Sequence, residues 1–327
     1  MAMLLAADIG GTKSNLWLFE QDGARREIRR EATLRSAAYA DACAVIATFL
    51  EDVRVEAAVV AIAGPVLDGR AATPNLPWLV ERQQLARMLR TERVELVNDL
   101  VATAYGIAGL DPQMMAVLNP GEPGDGAIAV IAAGTGLGEA VLLNAGPRRL
   151  AVPSEGGHAD FAPGNEIEIE LLRYLGSRYG HVSWERVVSG PGLHAIYCFL
   201  VESGRGDGNA ELAARMAAGD PAAVVAEAAM AQVDPTACRA LDVFMRAYGA
   251  EAGNLALKVL ATGGVYVAGG IAPKILERLR GGRFLRGFTA KGRYAPLLQR
   301  IPLKVVLEPR AALFGAAQRA AELLAAR

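Results

Sequence analysis

The stretch Ala6-Ala7-Asp8-Ile9-Gly10-Gly11-Thr12-Lys13-Ser14 lies between two apolar runs, Met3-Leu4-Leu5 and Leu16-Trp17-Leu18-Phe19. It reads as a β-hairpin whose turn is built from glycines and a threonine, with an aspartate closing the first strand. Glycine has no Cβ, so backbone N–H groups there can approach a ligand closely and form a concave anion nest. The Thr12 hydroxyl adds a donor. Asp8 adds a carboxylate that phosphate would repel, and its chemistry suits Mg²⁺ or the water shell of that ion. The chain repeats the device: Ala129-Val130-Ile131-Ala132-Ala133 leads into Gly134-Thr135-Gly136-Leu137-Gly138, and Ala140-Val141-Leu142-Leu143 follows. Strand, Gly/Thr turn and strand, occurring twice, predict two half-sites gripping one polyphosphate. That is the plan of a phosphotransferase built by duplication.

Other phosphate motifs fail on context. No G-x-x-x-x-G-K-[ST] occurs, because Lys13 follows Gly11-Thr12. Gly134–Gly138 approaches a dinucleotide fingerprint, but Glu139 stands where its last glycine would fall and a strand pattern follows instead of a helix. Protein-kinase signatures are absent.

A chain of 327 residues, 52% of them hydrophobic, suits two domains sharing a cleft. Its formal net charge of −1 provides no polybasic footprint for nucleic acid or for an anionic membrane. Cys43, Cys198 and Cys238 are odd in number and far apart, which fits reduced thiols of a cytoplasmic protein. The apolar start Met1–Ala7 lacks a basic region and runs straight into Asp8, so no signal peptide is expected. The longest later apolar run, Ala57–Val66, is broken by Gly64-Pro65 and is too short to span a bilayer.

Helix and strand patterns alternate along the chain. Helices are expected over Ser36–Leu50, Trp78–Leu89, Leu100–Ala108, Glu166–Tyr179, Met230–Leu260 and Ala311–Ala326. Buried strands are expected over Ala57–Ala63, Val94–Val97 and Gly263–Gly270. The turn-rich segment Asn119–Gly126 separates the two hairpins. The predicted division is a small domain of residues 1–110, completed by the C-terminal helix of residues 309–327, and a large domain of residues 111–308.

Val97-Asn98-Asp99 ends a buried strand, at the sheet edge where α/β folds place ligands. Asp99 is the candidate general base for a hydroxyl nucleophile, since phosphoryl transfer needs a carboxylate to orient the attacking OH. The structural alternative is that Asp99 only caps the following helix. Glu155 and His158 sit in Pro153–Phe161, Glu185 lies ahead of Ser189-Gly190-Pro191-Gly192, and Asn75 lies in Thr73–Trp78. Carboxylates, an amide and an imidazole without an arginine clamp suit a neutral, hydroxyl-rich ligand such as a sugar. Gly269-Gly270, between a strand and Pro273 near the first turn of a helix, offers flat backbone for a nucleotide's base and ribose.

Together these pieces resemble the bacterial glucokinases of the hexokinase–actin–Hsp70 superfamily. The matching motifs are Asp8-Ile9-Gly10-Gly11-Thr12, Val97-Asn98-Asp99, Gly134–Gly138, Glu155-Gly156-Gly157-His158-Ala159-Asp160-Phe161-Ala162-Pro163, Ser189–Leu193 and Ala268-Gly269-Gly270. They run in family order from residue 8 to at least residue 273. The resemblance implies an α/β, duplicated actin-like ATPase (ribonuclease H-like) fold and ATP-dependent phosphorylation of the glucose 6-hydroxyl. It implies Asp99 as catalytic base and Asn98, Glu155, His158 and Glu185 as sugar ligands. The Asp8–Thr12 and Gly134-Thr135-Gly136 turns become the phosphate loops for Mg-ATP, Gly269-Gly270 becomes the adenosine loop, and the assembly a homodimer.

The zinc-binding C-x-C-G-x-x-G-C-x-E run of the related repressor/kinase family is missing, which points to the zinc-free branch. Lys13 stands where some relatives carry Asn. A kinase for another hexose or an N-acyl hexosamine, and ADP or polyphosphate as donor, would use the same loops. A non-enzymatic sugar-sensing relative would need a DNA-binding segment ahead of the hairpin that opens here at residue 3. An actin- or Hsp70-like ATPase would have no use for the Glu155, His158 and Glu185 group.

Overall fold

Leu4, Leu5, Ala6, Ala7 and Ile9 are fully buried, which places their strand at the centre of a sheet. The computed structural model describes residues 2–23, 25–73, 76–146 and 148–326. In its first part the strands are β1 (Ala2–Ile9), β2 (Lys13–Asp22), β3 (Arg25–Arg35), β4 (Ala57–Ile62), β5 (Arg70–Ala72), β6 (Leu79–Glu81) and β7 (Val94–Asn98). Five of them form a sheet in the order β3-β2-β1-β4-β7. The β1–β2 hairpin is antiparallel with Asp8 opposite Asn15 and Ile9 opposite Ser14, whereas β4 runs parallel to both β1 and β7. All six residues of β4 are buried, as expected for a parallel strand covered on both faces.

Helices α1 (Ala42–Leu50), α2 (Arg82–Leu89) and α3 (Asp99–Ile107) follow their strands in this part. A second set of strands is β8 (Met115–Asn119), β9 (Ile128–Ala133), β10 (Leu137–Ala145), β11 (Arg148–Ser154), β12 (Gly264–Ala268) and β13 (Leu303–Val306), in the order β11-β10-β9-β12-β13-β8. Strand β12 runs parallel to β9 and β13, and β8 is antiparallel to β13. Strands β11, β10, β9, β12 and β13 thus repeat the order of β3, β2, β1, β4 and β7. The duplication read from the two Gly/Thr hairpins is a property of the whole sheets.

The second part also carries α4 (Glu166–Tyr179), α5 (Gly190–Glu202), α6 (Ala210–Ala218), α7 (Pro221–Met230), α8 (Pro235–Val259), α9 (Leu276–Arg280), α10 (Arg283–Thr289) and α11 (Ala295–Arg300). The chain ends in α12 (Ala311–Ala325), which packs on α3, β1 and β4. That packing is close because two glycines permit it: a Cβ on Gly315 would run into the Ala102 carbonyl oxygen, and one on Gly106 into that of Ala311. By contact density one compact unit comprises Met1–Met114, Ala140–Pro153 and Glu308–Arg327, the other Met115–Glu139 and Ser154–Leu307. No helix among the described residues is long and apolar enough to cross a membrane.

Three expected helices change their bounds. The pattern over Ser36–Leu50 splits into a 3₁₀ turn at Ser36–Ala38 and α1, which starts at Ala42 because the Asp41 side chain accepts the Ala44 N–H at 2.7 Å. The first residues of Trp78–Leu89 form β6, paired with β5, so α2 begins at Arg82. The pattern over Met230–Leu260 is interrupted: α7 ends at Met230, and Asp234 caps α8 with Pro235 at its first turn. Pro273 lies in a 3₁₀ turn, Ala272–Ile275, that precedes α9.

Candidate active site

The first glycine turn is held from behind by two fully buried serines, Ser14 and Ser36. Gly10 N–H donates to Lys13 O at 3.0 Å, closing the turn, and Ser36 N–H donates to Thr12 O at 3.1 Å. Ser36 Oγ donates to Gly10 O at 2.7 Å, so its 3.0 Å contact with Ser14 Oγ takes the proton of Ser14. The Thr12 and Lys13 side chains remain exposed. Asp8 ends β1 beside this turn, where Asn15 Nδ2 donates to its Oδ2 at 3.5 Å, and burial pushes its carboxyl above the usual range.

Strands β1 and β7 both flank β4 in parallel, with Ile62 level with Ile9 on one side and with Asn98 on the other. Their C-terminal ends therefore share one sheet edge, which brings Asn98 and Asp99 to the level of the first turn. Asn98 caps α3: its backbone is extended, its Oδ1 accepts from Leu100 N at 2.8 Å and Val101 N at 3.3 Å, and its Nδ2 donates to Gly64 O at 3.0 Å. The capping alternative weighed for Asp99 thus falls to its neighbour, and Asp99 becomes the first helical residue. Its Oδ1 accepts from Leu100 N at 2.9 Å. Burial first, and the Asp8 charge second, push Asp99 up to about 6. A carboxylate with that value is ionised at neutral pH yet basic enough to take a proton in a transition state.

The second glycine turn is tied into its unit by three segments. Gly134 N–H donates to Gly136 O and Gly190 N–H to Gly134 O, both at 2.8 Å. Glu185 Oε2 accepts from Leu137 N at 2.9 Å, just past the turn. Beneath it, the phenol of the fully buried Tyr248 accepts from Ala133 N at 3.0 Å. Gly269, with φ of +83°, and Gly270 continue β12 beside this point, and Ile271 N–H donates to Ala133 O at 3.3 Å.

Glu155 and His158 stand on a 3₁₀ turn, Gly156–His158, with both side chains exposed and Glu155 Oε2 3.9 Å from His158 Nε2. Glu185 N–H donates to Gly157 O at 2.8 Å and Trp184 N–H to Ala159 O at 3.0 Å. A Cβ on Gly157 would run into the Leu137 carbonyl oxygen. The phosphate-type turn, the Glu155–His158 turn and the segment Trp184–Gly190 therefore interlock, with Glu185 touching both turns. Ser189 completes the joint, donating to Glu185 O at 2.7 Å while capping α5.

Of the residues singled out from the sequence, Asp8, Gly10, Gly11, Thr12, Asn98 and Asp99 thus gather at one sheet edge of the first unit. Gly134, Thr135, Gly136, Glu155, His158, Glu185, Gly269 and Gly270 belong to the second. Asn75 lies outside the described residues. Ser14, Ser36 and Tyr248 were missed. Their tasks depend on partners 22 to 115 residues away, and a serine in a strand or a tyrosine in a long helix carries no local mark of them. Among the described residues no three or more His, Cys, Asp or Glu side chains group as a metal site.

A family model described as Glucokinase matches residues 5–323. Glucokinases of Nostoc punctiforme and Synechocystis sp. are each 42% identical, covering 99% and 97% of this chain and 100% and 98% of their own lengths. The glucokinase of Enterobacter sp. is 36% identical over 95% of this chain and 94% of its own. Among solved structures, a glucokinase from an Antarctic psychrotroph superposes with a TM-score of 0.86 at 28% identity, covering 98% of this chain and 99% of that one. A glucokinase from Balamuthia mandrillaris in complex with glucose superposes at 0.79 with 22% identity, over 98% and 94%. A glucokinase of the ROK family from Streptomyces griseus in complex with glucose and AMPPNP reaches 0.64 at 23% identity, over 98% and 99%, a likeness of fold. The duplicated sheets are those of the actin-like ATPase fold, and the chain belongs to the glucokinase family.

Proposed function

We propose that this glucose kinase transfers the γ-phosphoryl group of ATP to the 6-hydroxyl of glucose, releasing glucose 6-phosphate and ADP. The observation that carries the mechanism is Asp99: a desolvated carboxylate, raised to about 6, at the same sheet edge as the first glycine turn. In this reading the Asp99 carboxylate takes the proton of the 6-hydroxyl as that oxygen attacks the γ-phosphorus and the bond to the β-bridging oxygen breaks. Asn98, Glu155, His158 and Glu185, with Asn75, hold the sugar hydroxyls. Asn98 can do so with its second amide hydrogen, since Gly64 O takes one and the cap takes its oxygen.

The backbone N–H groups of Gly10–Thr12 and Gly134–Gly136 receive the phosphates, and Gly269-Gly270 the adenosine. Asp8 fits a magnesium site, because its carboxyl is desolvated and its amide partner Asn15 sits at 3.5 Å, leaving a buried charge that a cation would relieve. Held there through water, Mg²⁺ would neutralise phosphate charge. Residues 1–110 with 309–327 supply the base, the first phosphate turn and the Asn98 and Asn75 sugar contacts, and residues 111–308 supply the second phosphate turn, the remaining sugar contacts and the adenosine contacts. The chain works in the cytoplasm as a homodimer.

A coupled assay with ATP, ADP and polyphosphate against glucose, mannose, fructose and N-acetylglucosamine tests the reading. The highest kcat/KM is expected for ATP with glucose; ATP turnover indifferent to sugar would refute it, and sedimentation equilibrium reads the dimer.

A further inference from the structure

Glu139, the third residue of β10, stood out in the sequence only for breaking a dinucleotide motif. It is 2% exposed, and its Oε1 has no hydrogen-bond partner among the described residues. A buried polar atom with no partner is costly unless a proton bridges it to a neighbouring acceptor, so its place here calls for a reason. The side chain runs from just past the second phosphate turn to the underside of the Glu155–His158 turn: a Cβ on Gly156 would run into Glu139 Oε2. Gly156 is also fixed by its N–H, which donates to Ser154 Oγ at 3.0 Å.

The carboxyl of Glu251 on α8, fully buried, faces Glu139 from below. Glu251 is itself held by Asn254 Nδ2 at 2.7 Å and by Lys258 Nζ at 3.5 Å. Lys291 stands behind them, bonded to Asn254 Oδ1 and to Ala250 O. The titratable groups that face Glu139 are therefore Glu251, Lys258 and the phenol of Tyr248, all on α8.

We propose that Glu139 is a positioning residue that supports the Glu155–His158 sugar turn from beneath and keeps it in register with the second phosphate turn. Burial first, and the Glu251 charge second, push Glu139 up to about 8. At neutral pH it carries a proton, which hydrogen-bonds it to the Glu251 carboxyl that Lys258 holds from the other side. Above pH 8 loss of that proton puts a second negative charge beside Glu251 with little solvent to screen it. The pair then repels, and the part of Glu139 free to give way lies against Gly156. Sugar affinity falls, while the chemistry at Asp99 is untouched.

The inference rests on Glu155 and His158 binding the sugar, and the test separates the two claims. Glucose KM, ATP KM and kcat are measured from pH 6.5 to 9.5 for the wild type, Glu139→Ala, Glu139→Gln and Glu155→Ala. Glu139→Ala is expected to raise glucose KM at least about tenfold at pH 7, with ATP KM within about twofold. Glu139→Gln, which copies the neutral carboxyl, should recover most of that loss. It should also abolish the rise in glucose KM that the wild type shows above pH 8. An unchanged glucose KM in Glu139→Ala, or the same alkaline rise in Glu139→Gln, overturns the positioning role. If Glu155→Ala also leaves glucose KM unchanged, the sugar reading of the turn falls as well. If only Glu155→Ala weakens glucose, the positioning role alone is wrong.

Discussion

Replacing Asp99 by asparagine should abolish activity and stabilise the protein at once. The carboxyl is moved from 3.8 to about 6 by burial and by Asp8. Because the folded-state value lies above the unfolded one, folding favours the proton, and the charged form opposes folding increasingly above pH 3.8 and in full above about 6. The linkage amounts to about 3 kcal/mol at pH 7 and about half of that at pH 5, and it vanishes below 3.8. Asp99 is half-buried, so solvent screening trims the pH 7 figure to about 1–3 kcal/mol.

Asparagine keeps the shape and can still accept the Leu100 N–H, but it carries no charge to desolvate. Scanning calorimetry should therefore give Asp99→Asn a Tm about 2–4 °C higher per kcal/mol at pH 7, with a gap that shrinks by pH 5. A coupled assay should give a kcat lower by at least ~10²-fold, the loss of general-base help. Wild-type kcat/KM should fall about tenfold per pH unit below pH 6, as the base becomes protonated. A variant less stable than wild type at pH 7, or one with near-normal turnover, would refute the reasoning.

Three further substitutions probe the scaffold. Gly157→Ala forces a methyl into the Leu137 carbonyl, where backbone cannot yield, so it should raise glucose KM and lower stability by about 1–3 kcal/mol in a denaturant titration. Ser36→Ala leaves Gly10 O and Ser14 Oγ without their partner, and should raise ATP KM several-fold while glucose binding by calorimetry stays within about twofold. Gly315→Ala pushes α12 off α3; a loss of about 3 kcal/mol or more from the first unit, read as a lower Tm, is expected because the obstacle is the Ala102 carbonyl.

The hairpins were legible because their information is local: apolar strands flank glycines, and a strand follows each turn where a dinucleotide fold requires a helix. The matching order of the two sheets follows from that repetition. Trp78-Leu79-Val80-Glu81 was misread because its strand pairs with Arg70–Ala72, and pairing across a loop leaves no period in the segment itself. Asn98 and Asp99 are both capping residues by type, and only the extended backbone at Asn98 decides between them. Glu185 reads in sequence as a ligand alone; that it also receives Leu137 N–H depends on a contact 48 residues apart. Glu139 was opaque for a similar reason, since a strand glutamate is ordinarily solvated and its burial comes from α8 and the turn above it.

The seat of α12 bears on how the protein is made. The face of β1 and β4 that this helix covers is synthesised well before its cover, with the whole of residues 115–307 between them. At about 5–20 residues per second, those roughly 190 residues take about 10–40 s to emerge. For that interval an apolar sheet face stands open on the nascent chain while the second unit is still being synthesised. A ribosome-bound chaperone would find its binding surface there, and a stop codon before residue 311 would leave the first unit permanently uncapped.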